Sequence, residues 1–254
     1  MTIEACAGIV HRADPDRFMA AMAAPVEARR KLFPLYALNV EVARAPWVSG
    51  EAMIAEIRLQ WWRDALAEIA AGGPVRRHEV LTPLAGVISP QQANDLDEMI
   101  AVRRWDIYKE PFDDPAHFAR YIDQSAGTLI WTAAQVLGQA NEGAVRDFAF
   151  VSGLANWLRA VPELRARGRV PLLVETPEAI RALAGDGLER LARARGKRAL
   201  VSRAASPALL VGWQAETVLK QARHDPARVD AGTLGQGEIA RRLSLMARVV
   251  TGRW

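Results

Sequence analysis

Residues 35–47 read LYALNVEVARAPW. Leu35, Leu38, Val42 and Ala45 recur at steps of three and four residues, so on a helix they share one apolar face. Glu41 is the only acid in the stretch, and Arg44 follows it by three residues. The spacing predicts a buried helix here, and the same signature recurs outward in both directions. Asp14-Pro15, Ser89-Pro90, Asp114-Pro115, Thr176-Pro177 and Ser206-Pro207 each set a capping side chain before a proline suited to a first helical turn. The segments they open are rich in Ala, Leu, Arg and Glu, which favour helix.

Helices are expected at about 14–23, 25–45, 50–71, 79–87, 90–109, 115–138, 142–166, 176–202, 207–223 and 237–251. Strand signals are scarce, and Gly72-Gly73 reads as a helix stop rather than a hairpin. With no repeat and no long linker, residues 1–254 are expected to form a single all-α domain. Within 50–71, Met53, Ile57, Trp61 and Ala65 form one stripe flanked by Ile54, Leu66 and Ile69. That breadth predicts a helix buried among several others.

Half of the 254 residues are hydrophobic, enough to build a core without disulfides or metal. The lone Cys6 excludes an internal disulfide framework and fits a reducing compartment. The first residues lack the long apolar run of a secretory signal, and no stretch reaches the roughly 20 apolar residues of a membrane span. A cytoplasmic protein is expected, with room for peripheral contact at the inner face of the membrane. The net charge of +4 admits an anionic partner, yet acids are interspersed nearly throughout, so Arg-rich composition alone is the preferred account of it.

The usual catalytic motifs are missing. His11, His78, His117 and His224 lie apart from any second ligand at zinc spacing, and there is no Gly-x-Ser-x-Gly elbow. The run GQGEIA (235–240) imitates a dinucleotide fingerprint but has no preceding strand. No nucleic-acid-binding motif accompanies the basic charge, and nucleic acid is not an expected partner.

Larger patterns carry more. DPDRFMAAMAAPVEARRKLFPLYAL (14–38), EIRLQWWRDAL (56–66), YIDQSAGTLI (121–130) and NWLRAVPELRARGRVPLL (156–173) resemble, in order, segments of the squalene/phytoene synthase family. A further segment, SPALLVGWQAETVLKQARHDP, also has a counterpart there. The resemblance implies an isoprenoid-synthase-like all-α bundle around a central apolar cavity, between segments 35–47 and 151–165. Active members condense prenyl diphosphates on two Asp-rich helix motifs. Carboxylates one turn apart hold Mg²⁺, and the metal grips the diphosphate and helps it leave.

Here the positions matching the first motif are Ala43, Arg44 and Trp47, and those matching the second are Ala160 and Leu164. Every expected aspartate is absent. Glu41 and Glu163 are the nearest acids, one per helix, too few to trap a cation. Tyr36, Tyr121, Ala126, Gly127, Asn156, Arg159, Gly168 and Arg169 keep the family pattern, while Ile130 replaces a second glycine. By that resemblance Tyr36, Tyr121, Asn156, Arg159 and Arg169 are candidate binding residues, with Arg159 and Arg169 able to hold an anion. Equally, the two arginines can be ordinary helix-end and loop residues.

The run NVEVA followed by RLQWWRDALAEI resembles an aspartate-lacking branch of the family, that of the mitochondrial complex I assembly factor. This implies a non-catalytic role without a cofactor, with respiratory-complex assembly proteins or an isoprenoid lipid as partners. The alternative is a divergent prenyltransferase, which would need Mg²⁺. One further segment bears on location. In GEIARRLSLMARVVTGRW (237–254), Ile239, Leu243, Met246 and Val250 share a face, with arginines around the remainder. It can lie on anionic lipid, or it can close the core with its apolar face.

Overall fold

Four of the five cap–proline signals set helix starts in the computed structural model, which describes residues 2–254. The main-chain N–H groups of Arg17, Gln92, His117 and Ala179 donate to the side chains of Asp14, Ser89, Asp114 and Thr176. Ser89 and Gln92 complete a reciprocal capping box. The elements are α1 (Ile3–Ala13), α2 (Pro15–Ala23), α3 (Val26–Arg44), α4 (Ala52–Ala70), α5 (Leu81–Ala85), α6 (Pro90–Val102) and α7 (Trp105–Tyr108). There follow α8 (Pro115–Ile122), α9 (Thr128–Leu137), α10 (Glu142–Ala166), α11 (Pro177–Gly196), α12 (Ala215–His224), α13 (Ala227–Asp230) and α14 (Glu238–Thr251). A π-helical turn at Asp123–Gly127 joins α8 to α9, and 3₁₀ turns occupy Ala45–Trp47, Arg198–Leu200 and Ser206–Gly212. Among the described residues the only β pairing is an isolated bridge between Ala140 and Val201.

The expected boundaries shift in several places; α13 is unannounced, and the π turn at Asp123–Gly127 interrupts the expected helix 115–138. Helix α1 is additional; its buried residues Cys6, Ile9 and Val10 keep helical spacing, but no cap-proline pair announces it. The expected helix 90–109 breaks after α6, and α7 stops at Lys109, whose φ is +57°. Ser206-Pro207 opens a 3₁₀ turn without a side-chain cap, so the helix proper begins only at Ala215. Helix α11 ends at Gly196 rather than 202.

Helix α10, 25 residues long, is the axis of the bundle, packed by α9, α11, α12 and the π turn. Gly153 allows the last of these contacts. A Cβ there would lie 2.7 Å from the Ala126 Cβ and 2.8 Å from Ile122 Cγ2, closer than packed carbons approach. Helix α3 packs on α1 and on α9, so α9 lies against both helices that carry the degenerate motifs.

Two packing expectations need correction. Met53, Ile57 and Trp61 of α4 are 74%, 62% and 36% exposed, and the buried face is Ala55, Leu59, Trp62, Ala65, Leu66 and Ile69. The breadth of the apolar surface predicts a helix buried among several others, but α4 has α6 and the Ala45–Trp47 turn as its main neighbours and covers one side only. The inward sides of α3 and α10 are likewise filled. Leu35, Tyr36, Leu38, Leu154, Leu158 and Val161 lie in one continuous core. The recess against the inner part of α10 is polar and small, about 210 Å³, lined by Asp14, Asp16, Asn156 and Arg159 among others. Pockets that enclose small ligands run to roughly 300–1,000 Å³.

Candidate functional site

The five candidate binding residues fall into two groups. Tyr36, Asn156 and Arg159 lie near the recess between α2 and α10; Tyr121 and Arg169 lie together beneath α7.

In the first group a carboxylate that the sequence did not single out is the hub. Asp16, in the first turn of α2, accepts hydrogen bonds from Arg159 Nη1 (3.0 Å), Gln214 Nε2 (2.7 Å) and Arg241 Nη1 (2.9 Å). It ties α10, α12 and α14 to α2. Arg159, the candidate anion ligand, is thus engaged by an anion of the protein itself. Asn156 is exposed on the rim. Tyr36 is fully buried with Arg17 5.3 Å above its ring, and its hydroxyl has no hydrogen-bond partner among the described residues. Burial raises its pKa far above the usual phenol value, with Arg17 opposing the shift, so it stays protonated.

In the second group Tyr121 donates to Asp106 Oδ1 (2.8 Å) and accepts from Arg103 Nη1 (2.9 Å), while Arg103 also reaches Asp106 Oδ2 at 3.3 Å. Asp106 and Tyr121 are buried and Arg103 is half-buried; the three side chains bond one another, and of their polar atoms Arg103 Nε alone is left buried without a partner among the described residues. Trp105, Phe112, Phe118 and Trp157 surround it; Trp105 and Phe112 stack at 4.0 Å. Arg103 and Asp106 were invisible as site residues because Arg-Arg-Trp-Asp matches no motif. Ala126 and Gly127 lie in the π turn, where the small side chains let α10 approach.

Arg169 is 5% exposed. Its Nη1 donates to the Trp105 carbonyl at 3.2 Å, and burial lowers its pKa despite Asp106 and Tyr121 nearby. Its guanidinium lies 5.1 Å from the ring of Trp47, and that of Arg167 lies 4.6 Å from the same ring. A first-motif position is therefore held by an indole against two cations, a cation–π arrangement in place of a carboxylate. Both arginines, with Lys109, line a cleft of about 470 Å³.

The remaining motif positions offer no oxygen ligand. Ala43, Ala160 and Leu164 are half-buried, and Arg44 is exposed, bonded to Glu41 at 3.3 Å. Glu163 is paired with Arg167 at 2.6 Å. Among the described residues no three His, Cys, Asp or Glu side chains gather to hold a metal. The residues present do not fit a Mg²⁺–diphosphate site of the kind the family uses.

A family model for squalene/phytoene synthase matches residues 10–234, and the chain belongs to that family. The bundle is similar to a crystal structure of a dehydrosqualene synthase in complex with ligand (TM-score 0.78, 13% identity, 98% of this chain and 95% of that one). It is also similar to squalene synthase HpnC from Alicyclobacillus acidocaldarius (TM-score 0.71, 14% identity, 89% and 94%). Among curated relatives, the chain is 26% identical over 205 residues to the NADH dehydrogenase (ubiquinone) complex I, assembly factor 6 homolog of Drosophila melanogaster, covering 75% of this chain and 58% of that protein. The Homo sapiens assembly factor 6 is 21% identical over 173 residues, covering 65% and 51%. The chain thus spans little more than half the length of these relatives.

Proposed function

We propose that this protein is a non-catalytic squalene/phytoene-synthase-like factor acting in assembly of a respiratory NADH dehydrogenase, needing no metal cofactor. One observation carries the reading. The side chains that would meet a diphosphate are already engaged within the protein: Arg159 by Asp16, and Arg167 and Arg169 by Trp47. Without carboxylates to recruit Mg²⁺, the charge of a diphosphate in this interior would go uncompensated, at a cost the two remaining glutamates do not offset. The names of the relatives supply the assembly role. Its place would be the inner face of the membrane, as a peripheral protein; no helix of the described residues is long and apolar enough to cross one.

Purified protein incubated with Mg²⁺ and farnesyl or geranylgeranyl diphosphate is expected to yield no presqualene or prephytoene diphosphate above a no-protein control. Product above that control overturns the non-catalytic reading and favours the divergent prenyltransferase. Deleting the gene is expected to lower the amount of assembled NADH dehydrogenase on native gels. Unchanged assembly rejects that part of the reading.

A further inference from the structure

Helix α14 is mounted with its apolar stripe outward. Arg241 reaches Asp16 at 2.9 Å, Arg248 reaches Glu216 at 3.5 Å, and Leu245 packs with Ala20, Leu210 and Trp213. These three residues define the inward face, and Leu245 is the only buried residue of the helix. On the opposite side Ile239, Leu243, Met246 and Val250 are 78%, 59%, 61% and 85% exposed. At 100° per residue the four fall within one narrow stripe. Surface helices of globular proteins normally turn such a stripe to the core, and a contiguous apolar patch of this kind marks an interaction site. Of the two alternatives for this segment, closing the core with the apolar stripe is not the arrangement seen: the stripe faces outward and the inward anchor is mainly ionic.

Basic charge gathers at the C-terminal end of the same helix. A cleft of about 730 Å³ there is lined by Arg198, Arg203 and Arg248 together with the apolar Leu210, Val249 and Val250. Arg195 and Arg198 both donate to the main-chain oxygen of Trp254, at 3.1 and 2.7 Å, and exposed Arg253 adjoins them. Glu216 is the acid paired with this group, bonded to Arg195 at 2.7 Å. Burial, then the neighbouring Arg195, Arg253 and Arg248, lowers the pKa of Arg198, which registers the surplus of positive charge. Guanidiniums beside a protruding apolar row complement a surface whose outer layer is anionic and whose interior is hydrocarbon.

We infer that α14 and the arginine cleft at its end form a docking face for an anionic phospholipid bilayer. Ile239, Leu243, Met246 and Val250 enter the acyl boundary while Arg203 and Arg253 contact headgroup phosphates. The helix stays bolted to the body through Arg241 and Arg248, so binding orients the bundle relative to the membrane.

Flotation of the full chain with phosphatidylcholine vesicles, with and without phosphatidylglycerol, tests the inference. Binding is expected only to the anionic vesicles and is expected to weaken at high salt. Two variants leave the inward anchors intact. Leu243→Asp with Met246→Asp is expected to weaken binding about 10-fold or more. Arg203→Glu with Arg253→Glu is expected to lose about 10-fold or more and most of the salt dependence. Circular dichroism is the check that both variants keep the wild-type helical content. No binding to anionic vesicles at low salt, equal binding to neutral ones, or full binding by the Asp variant overturns the inference. So does a concentration-dependent dimer that the Asp variant abolishes, which would assign the stripe to a second copy. These readouts are independent of prenyl turnover and of enzyme assembly.

Discussion

Asp16→Ala removes one acceptor from three donors, on α10, on α14 and at the N-cap of α12. The carboxylate is 20% exposed, with Arg159 and Arg241 at 34% and 27%. Fully exposed ion pairs contribute about 0.2–1 kcal/mol, and breaking a buried pair costs roughly 3–5 kcal/mol. A carboxylate with one fifth of its surface in water and three good hydrogen bonds lies between, at about 2–3 kcal/mol. With an unfolding entropy of about 2.1 cal/mol/K per residue, a chain of this size loses ~2 °C of Tm for each kcal/mol, so a drop of ~4–6 °C is expected. Thermal unfolding followed by circular dichroism measures it, and high salt is expected to narrow the gap. The same change releases Arg159 and Arg241, so calorimetric titration should show inorganic diphosphate binding to the variant more tightly than to the wild type. A Tm change below about 1 °C would refute the hub. Equal diphosphate affinity in both proteins would refute the claim that Asp16 occupies the anion position.

Two other expectations are cheaper to check. Cys6 is fully buried, and burial, with Glu79 close by, pushes its thiol up to about 11; it should resist alkylation at pH 8 in the folded protein and react at once in denaturant, and rapid labelling of native protein would contradict the packing of α1. Burial raises the pKa of Glu216, but hydrogen bonds from Arg195 and Lys220 outweigh it and hold the carboxyl at about 2, below the ordinary 4.5. A depressed folded-state value stabilises above the unfolded pKa and loses that stabilisation as pH falls. Wild type should therefore exceed Glu216→Gln in Tm at neutral pH, with the gap closing between pH 4.5 and 2. A gap that does not change with pH would rule out the ion-pair account.

The fold was legible because its punctuation is local. Asp14, Ser89, Asp114 and Thr176 cap the helices they announce, and ordered family-like segments supply the topology that periodicity cannot. What failed was the sidedness of helices. Met53, Ile57 and Trp61 look like core on α4, as Leu243 and Met246 do on α14, yet burial depends on which neighbours arrive from distant parts of the chain. The site was half legible. Tyr121 and Arg159 could be matched to a pattern, but their partners could not. Asp106 is 15 residues from Tyr121 and Asp16 is 143 from Arg159, and no spacing rule joins residues across such gaps. Arg241 is further still, 225 residues from the carboxylate it shares.

The indole of Trp47 against Arg167 and Arg169 also governs how readily the fold could change its role. An aspartate placed at position 47 would face two guanidiniums, and its charge would be spent on them before any divalent ion arrived. Aspartates at 160 and 164 alone would lack a counterpart on the opposite helix. Each single step toward a metal site therefore yields an ion pair or a stranded carboxylate and no new activity. On the non-catalytic reading proposed above, a metal site would need coordinated change on both helices and at the two arginines, not one substitution at a time.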